Sequence, residues 1–125
     1  MTILAAEPQL FVADMLAALD FYVGKLGFEL AFNHGEPAFY AQVVRGGARL
    51  NLRLVQGAVF DPGFQAREAD ALAATLTLDD AEPLFREYEA VGLVFHQKLR
   101  TEPWGARTFI ITDPDGNLIA FAGRA

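Results

Sequence analysis

The sequence contains no cysteine among its 125 residues, which excludes disulfides, thiolate metal sites and cysteine nucleophiles. It also lacks a long apolar run, because charged residues interrupt every hydrophobic stretch within about ten positions. We therefore expect neither a signal peptide nor a membrane span, and a cytoplasmic protein with no membrane partner.

Positive charge is scarce. Ten Lys and Arg residues face 16 Asp and Glu residues, which gives a formal net charge of −6, and no cluster of basic residues reverses that sign locally. Because such a surface repels phosphates, we do not expect nucleic acid as a partner. The acidity would suit a cationic small ligand, but many cytoplasmic proteins are acidic merely for solubility, and that is our first interpretation.

The common catalytic patterns are absent as well. The chain shows no Ser-His-Asp spacing, no phosphate-binding loop and no GxGxxG fingerprint. Its two histidines, His34 and His96, fall in corresponding predicted strands, 62 positions apart. A structural role is our first interpretation for both, and a general base or a ligand contact is the alternative.

What the chain does contain is a long internal repeat. Asp14 suits a helix N-cap and Gly27 the end of that helix, and Asp79 and Gly92 recur with the same separation of 13 positions. A strand precedes each helix, and three strands follow it. The sequence thus predicts an α+β fold in one domain, residues 1–125, made of two βαβββ units, 1–55 and 71–125, with a linker at 56–70.

Each unit would cover one side of its sheet with one helix, on the convex side of an open, curved, mixed sheet. Alternation along the strands puts Leu10, Leu50 and Leu52 on the helix side. The opposite residues, which include Phe11, Asn51 and Arg53, would then line a concave ligand-binding face.

A late segment, residues 102–107, carries the only tryptophan of the chain between a proline and a glycine. Pro and Gly on either side favour a loop or cleft rim for Trp104, while burial in the core is the other interpretation. Arg107 follows at the start of a strand and shares one strand face with Phe109. The block Asp-Pro-Asp-Gly-Asn at 113–117 predicts a hairpin turn.

The tandem βαβββ order, the run from Asp14 through Phe21-Tyr22 to Gly27-Phe28, and the turn at 113–117 together resemble the glyoxalase/bleomycin resistance protein/extradiol dioxygenase superfamily, also called vicinal oxygen chelate proteins. Metalloenzymes of that superfamily place one ligand on the first and last strand of each unit. The matching positions here are Glu7, Asn51 or Arg53, Ala73 and Ala120. Since alanine has no donor atom, the resemblance implies no metal site and no cofactor.

The resemblance is therefore closest to the metal-free bleomycin-resistance members. It implies a homodimer that sequesters a drug-like or aromatic, possibly cationic, small molecule. The alternative is a divergent glyoxalase-like metal-dependent lyase or isomerase or a dioxygenase, or a metal-free catalyst that uses Glu7 or a histidine. The expected ligand-binding residues are Phe11, Asn51, Arg53, Trp104, Arg107 and Phe109.

Overall fold

The computed structural model describes residues 1–124, so Ala125, the last residue of the predicted second unit, lies outside the described residues. The chain divides into two compact units, Met1–Val59 and Phe60–Ala125, called here the N-terminal and C-terminal units. No helix within residues 1–124 has both the length and the apolar character needed to cross a membrane.

The N-terminal unit is one four-stranded mixed sheet with one helix. Its spatial strand order is β1-β4-β3-β2, in which β1 pairs with β4 in parallel and the other pairs are antiparallel. The elements are β1 (Gln9–Val12), α1 (Met15–Leu19) with a π-helical continuation (Asp20–Lys25), β2 (Glu29–His34), β3 (Tyr40–Arg45) and β4 (Ala48–Leu54).

The C-terminal unit repeats that order after a short extra helix. Its sheet runs β5-β8-β7-β6, again with the first pair parallel and the others antiparallel. The elements are α2 (Pro62–Arg67), β5 (Ala74–Leu78), α3 (Ala81–Ala90), β6 (Phe95–Thr101), β7 (Arg107–Thr112) and β8 (Leu118–Gly123).

The predicted α+β fold with two βαβββ units is confirmed, with one correction at the second helix cap. The cap of α3 is Asp80, whose Oδ1 accepts from the Glu82 amide at 3.1 Å, and not Asp79. The caps Asp14 and Asp80 are thus 66 positions apart, whereas Gly27 and Gly92 are 65 apart. The π-helical segment takes up the extra residue, since its hydrogen bonds span five residues rather than four.

The linker predicted at 56–70 also has structure of its own. Helix α2 begins there with Asp61 as its cap, because the Asp61 carboxylate accepts from the Phe64 amide at 3.0 Å and Pro62 occupies the first turn. This helix could not be predicted from hydrophobic periodicity, because it is short and contains Gly and Pro beside Phe.

Each core lies between a sheet and its long helix. In the N-terminal unit the helix-facing strand residues are aliphatic and buried, as predicted for Leu10, Leu50 and Leu52. In the C-terminal unit that side is largely aromatic, with Ile111 and Ile119 buried beside the rings. Its buried or partly buried rings contact one another at centroid distances of 4.7–6.1 Å. The rings belong to Phe85, Tyr88, Phe95, Phe109 and Phe121.

Candidate ligand-binding surfaces

The side of the N-terminal sheet that faces away from α1, called here the open face, gathers most of the predicted binding residues. The β3–β4 register pairs Tyr40 with Arg53 and Gln42 with Asn51, and the β1–β4 register pairs Phe11 with Arg53. Because paired residues share one side of a sheet, these five side chains lie on the same face.

Aromatic rings on the open face remain exposed. Phe11 keeps 41% and Phe32 keeps 47% of its surface accessible, and the Phe32 ring stacks on Tyr40 with centroids 6.2 Å apart. Large apolar side chains that cluster on an exposed sheet are typical of an interaction site rather than of an ordinary solvated surface.

A polar triad, Glu7–Gln42–Asn51, lies on the same face. The Gln42 amide donates to Glu7 Oε1 and to Asn51 Oδ1, both at 2.9 Å, and Asn51 Nδ2 lies 3.4 Å from the same Glu7 oxygen. Gln42 is itself buried, so it fixes the two outer groups in place. Arg53 is exposed and forms no ion pair with any residue of the described chain.

Trp104 lies at the tip of the β6–β7 hairpin with 72% of its surface exposed, which excludes the core interpretation. Hydrogen bonds of Glu102 stabilise the loop that carries Trp104. Glu102 Oε1 accepts from Arg100 Nε and from Thr108 Oγ1, both at 2.7 Å, and Glu102 N donates to the Ala106 carbonyl. The Arg100 guanidinium, and then the Thr108 hydroxyl, hold the pKa of Glu102 below its ordinary value. An exposed indole on a braced loop is available for stacking.

The structure corrects the expectation for Phe109 and changes that for Arg107. Phe109 has no exposed surface and packs in the aromatic core beside α3. Arg107 shares its side of β7, and its Nη1 donates to Glu82 Oε2 of α3 at 2.7 Å. That ion pair, chiefly through its hydrogen bond, lowers the pKa of Glu82. The face shared by these two residues is therefore the helix side, and Phe109 cannot contact a ligand there.

Sequence reasoning missed Phe39, Phe32 and Tyr40. Phe39 is 49% exposed at the end of the β2–β3 loop and lies 65 positions before Trp104, the same offset as between the two helix-ending glycines. The repeat itself thus carried the signal, since both units place an aromatic residue in the same hairpin loop.

The two histidines occupy different surroundings. The His34 ring meets Phe39 edge-to-face, with centroids 5.5 Å apart. His96 Nε2 lies 2.7 Å from Asp70 Oδ1, whose carboxylate is almost fully exposed. Neither histidine belongs to a group of three or more potential metal ligands, because residues 1–124 contain no such group.

Four positions of this chain match the metal-ligand positions of the superfamily's metalloenzymes. The residues at these positions do not fit a metal ion. Ala73 and Ala120 carry no donor atom, and Arg53 is a cation. Glu7 is the only carboxylate, and one of its oxygens already accepts hydrogen bonds from the amides of the polar triad. One carboxylate and one amide are too few donors for a tight transition-metal site.

The fold and these surfaces define a member of a known superfamily. Residues 4–121 match the model of the Glyoxalase/Bleomycin resistance protein/Dioxygenase superfamily, so the chain belongs to that superfamily.

Three individual members of the superfamily show what kind of protein this chain is similar to. A bleomycin resistance protein of Geobacillus stearothermophilus is 27% identical over 132 residues, covering 94% of this chain and 95% of that protein. The bleomycin-binding protein of Streptomyces verticillus, solved with copper(II)-bleomycin, is 25% identical with a TM-score of 0.75, covering 100% of this chain and 99% of that chain. TnmS3, an antibiotic-binding protein from Streptomyces sp. CB03234, is 26% identical with a TM-score of 0.69 and full coverage of both chains.

Proposed function

We propose that this protein binds and sequesters a flat, aromatic antibiotic of the bleomycin kind, without a metal of its own. The observation that carries the proposal is the open face of the N-terminal sheet. There Phe11, Phe32 and Tyr40 stay accessible beside the polar triad and beside Arg53, which forms no ion pair within residues 1–124. A planar ligand that covers the exposed rings removes their apolar surface from water, which favours binding. The fixed polar groups then orient the ligand.

The names of the relatives support the same class of ligand, since bleomycin resistance and antibiotic binding recur among them. The triad supports a ligand with N–H donors. Glu7 supplies a carboxylate, and the net charge of −6 favours a cationic over an anionic molecule. We include Trp104 and Phe39 as further stacking residues, each exposed in its own hairpin loop.

Titration with bleomycin, in its metal-free and copper(II) forms, tests the proposal. We expect Trp104→Ala and Phe11→Ala each to raise the dissociation constant about tenfold, which corresponds to a loss of about 1.4 kcal/mol. Melting temperatures should change little, because neither ring is buried. Leu16→Ala is the control, since Leu16 is exposed on α1 and outside the open face.

Two results would contradict the proposal. One is the absence of binding to bleomycin and to a panel of other aromatic antibiotics. The other is a stoichiometric divalent metal that purifies with the protein, together with an activity that disappears when a chelator removes it. That second result would favour the lyase, isomerase or dioxygenase alternative.

We also propose that the protein is a cytoplasmic homodimer. All six residues of the edge strand β2 are exposed, including Leu30 and Phe32. An unpaired apolar edge of this kind is usually covered in natural proteins. Light scattering at micromolar concentration should give twice the chain mass of 13.7 kDa, and a monomer would refute the dimer.

A further inference from the structure

The polar triad Glu7–Gln42–Asn51 has its hydrogen bonds arranged in one direction only. An ionised carboxylate can only accept, so the Gln42 atom that lies 2.9 Å from Glu7 Oε1 is the amide nitrogen Nε2. The second N–H of this nitrogen donates to Asn51 Oδ1, also at 2.9 Å. The carbonyl oxygen of Asn51 therefore points to Gln42, and its Nδ2 lies on the Glu7 side, 3.4 Å from Oε1.

Gln42 holds this arrangement in place because its side chain is buried and both of its N–H groups are used within the triad. Turning the amide over would bring its carbonyl oxygen against the Glu7 carboxylate and leave buried donors unpaired, which costs free energy. Glu7 is exposed and Asn51 is partly exposed. A ligand on the open face thus meets Glu7 and Asn51, whose orientation Gln42 has already set.

Two atoms of the triad keep hydrogen-bonding capacity for a ligand. Glu7 Oε2 accepts no hydrogen bond from residues 1–124, and Asn51 Nδ2 has a second N–H that donates to none of them. A carboxylate acceptor therefore lies beside an amide donor on the open face. Such a pair is complementary to a group with an N–H beside a C=O, of which a primary carboxamide is the simplest example.

The ring-binding residues lie one row further along the same side of the sheet. The register places Gln42 and Asn51 in one row across the strands, and Phe11, Arg53 and Tyr40 in the next. Successive rows on one side are two residues apart, or roughly 7 Å. A ligand ring can stack on the Arg53 guanidinium, between Phe11 and Tyr40, while a short arm of the ligand reaches Asn51.

We propose that the polar triad selects aromatic ligands that carry a primary carboxamide, or another N–H beside a C=O, on a short arm. Asn51 donates to the carbonyl oxygen of that group, and Glu7 accepts from its N–H. Gln42 is the positioning residue, because it fixes both of the others without contacting the ligand. This inference rests on the proposed function only in taking the open face as the ligand-binding surface.

Two probes with the same shape test the selection. 3-Phenylpropanamide carries the C=O and the N–H, and 4-phenylbutan-2-one has a methyl group in place of the NH₂. In ¹H–¹⁵N titrations of the full chain, the amide should bind about fivefold more tightly than the ketone, as one additional hydrogen bond implies. The side-chain NH₂ signals of Asn51 should shift further with the amide than with the ketone. Equal affinities, or no binding of the amide, would overturn the proposal.

Variants then assign the roles. In Glu7→Gln the new side chain still accepts from Gln42 through its oxygen but presents an N–H where Glu7 presents Oε2, so the fivefold preference should fall to about one. Glu29→Gln is the matched control, since it removes the same charge from an exposed residue of β2 outside the triad, and it should keep the preference. An unchanged preference in Glu7→Gln would refute the contact.

Gln42→Leu tests the positioning role, because it removes both hydrogen bonds that orient Glu7 and Asn51. Affinity for the amide should fall to that for the ketone, while the ketone binds as before. A loss for both probes in equal proportion would show a merely structural role and refute the positioning role. If Gln42→Leu does not fold, Glu7→Gln and Glu29→Gln decide the question, since both change exposed residues.

Failure of this inference and failure of the proposed function give different results. If no aromatic antibiotic binds but 3-phenylpropanamide keeps its preference, the proposed function is wrong and the role of the triad stands. If bleomycin binds and the two probes bind equally, the proposed function stands and the role of the triad is wrong. Titration of the same protein sample with bleomycin and with both probes separates these outcomes.

Discussion

The strands of the two βαβββ units carry their aromatic rings on opposite sides of their sheets. In the C-terminal unit, Phe95, Phe109 and Phe121 face α3 and form an aromatic core. In the N-terminal unit the helix side of the strands is aliphatic, and Phe11 and Tyr40 lie on the open face. Identical topology therefore does not fix where the rings go.

The different placement of the rings shows which positions of a βαβββ unit the fold requires to be apolar and which remain free for other roles. A βαβββ unit needs only an apolar helix side to fold, and aliphatic or aromatic side chains satisfy that need equally. Rings that the core does not use remain available for recognition. This division leaves Phe11 and Tyr40 on the open face of the N-terminal sheet, and smaller residues, such as Ala120 and Ala122, opposite the C-terminal core.

The largest expected effect tests this division directly. Phe109→Ala should reduce the free energy of unfolding by about 3–5 kcal/mol, because it leaves a cavity among the rings that surround it. Phe11→Ala should cost less than about 1 kcal/mol, since much of that ring is already exposed. Denaturant titration of both variants measures the contrast. Equal losses would show that Phe11 is a core residue and not a recognition residue.

A second contrast concerns the turns that connect the last two strands of each unit. In the C-terminal unit, the buried Asp113 carboxylate accepts from two backbone amides and from Asn117 Nδ2, each at 2.8 Å. In the N-terminal unit, Gly46 and Gly47 make the turn, and no side chain is needed. Asp113→Ala should cost about 2–3 kcal/mol of unfolding free energy, because it leaves buried donors without their acceptor.

Two control variants show whether the loss in Asp113→Ala comes from the missing hydrogen-bond acceptor or from any substitution in a turn. Asp113→Asn should restore part of the loss, since the amide oxygen still accepts from the backbone. Gly47→Ala should stay within about 0.5 kcal/mol, because a Cβ there has no atom within 4 Å and the backbone is not left-handed. A large loss in Gly47→Ala would mean that both turns are equally constrained.

Much of the fold could be predicted from the sequence, because caps, glycine stops and strand alternation are local signals. The repeat of Asp14 and Gly27 located the second helix to within one residue of its cap. The π-helical segment and α2 could not be predicted, since the first changes the spacing from cap to glycine by only one residue and the second is only six residues long. Both depend on packing that periodicity does not report.

The candidate site was harder, because the side of a strand is decided by neighbouring strands. Alternation put Phe11, Asn51 and Arg53 on the open face, where the structure has them. Alternation also put Arg107 and Phe109 on one side of their strand, but it could not show that this side faces the helix. The ion pair to Glu82 supplies that orientation, and it involves a residue 25 positions away.

The smallest expected effect contrasts the two hairpin loops that carry Trp104 and Phe39. Glu102 braces the first loop as a carboxylate, and its hydrogen bonds to Arg100 and Thr108 lower its pKa from the ordinary value of 4.5. A carboxyl group with a lowered pKa in the folded state stabilises above its unfolded pKa, and this contribution disappears as the pH falls through the folded value. Glu102→Gln should therefore lower the melting temperature slightly at about pH 7.

As the pH falls below 4.5 and through the lowered pKa of Glu102, the difference between Glu102→Gln and the parent protein should shrink towards zero, because the parent carboxyl then becomes neutral. The second loop provides the control, since Glu36 there has no ion pair or side-chain hydrogen bond within residues 1–124. Glu36→Gln should leave the melting temperature unchanged across the same pH range. Fluorescence anisotropy of Trp104, the only tryptophan, reports the same loop without interference. It should fall in Glu102→Gln at neutral pH, and an unchanged anisotropy would mean that Glu102 does not order the Trp104 loop.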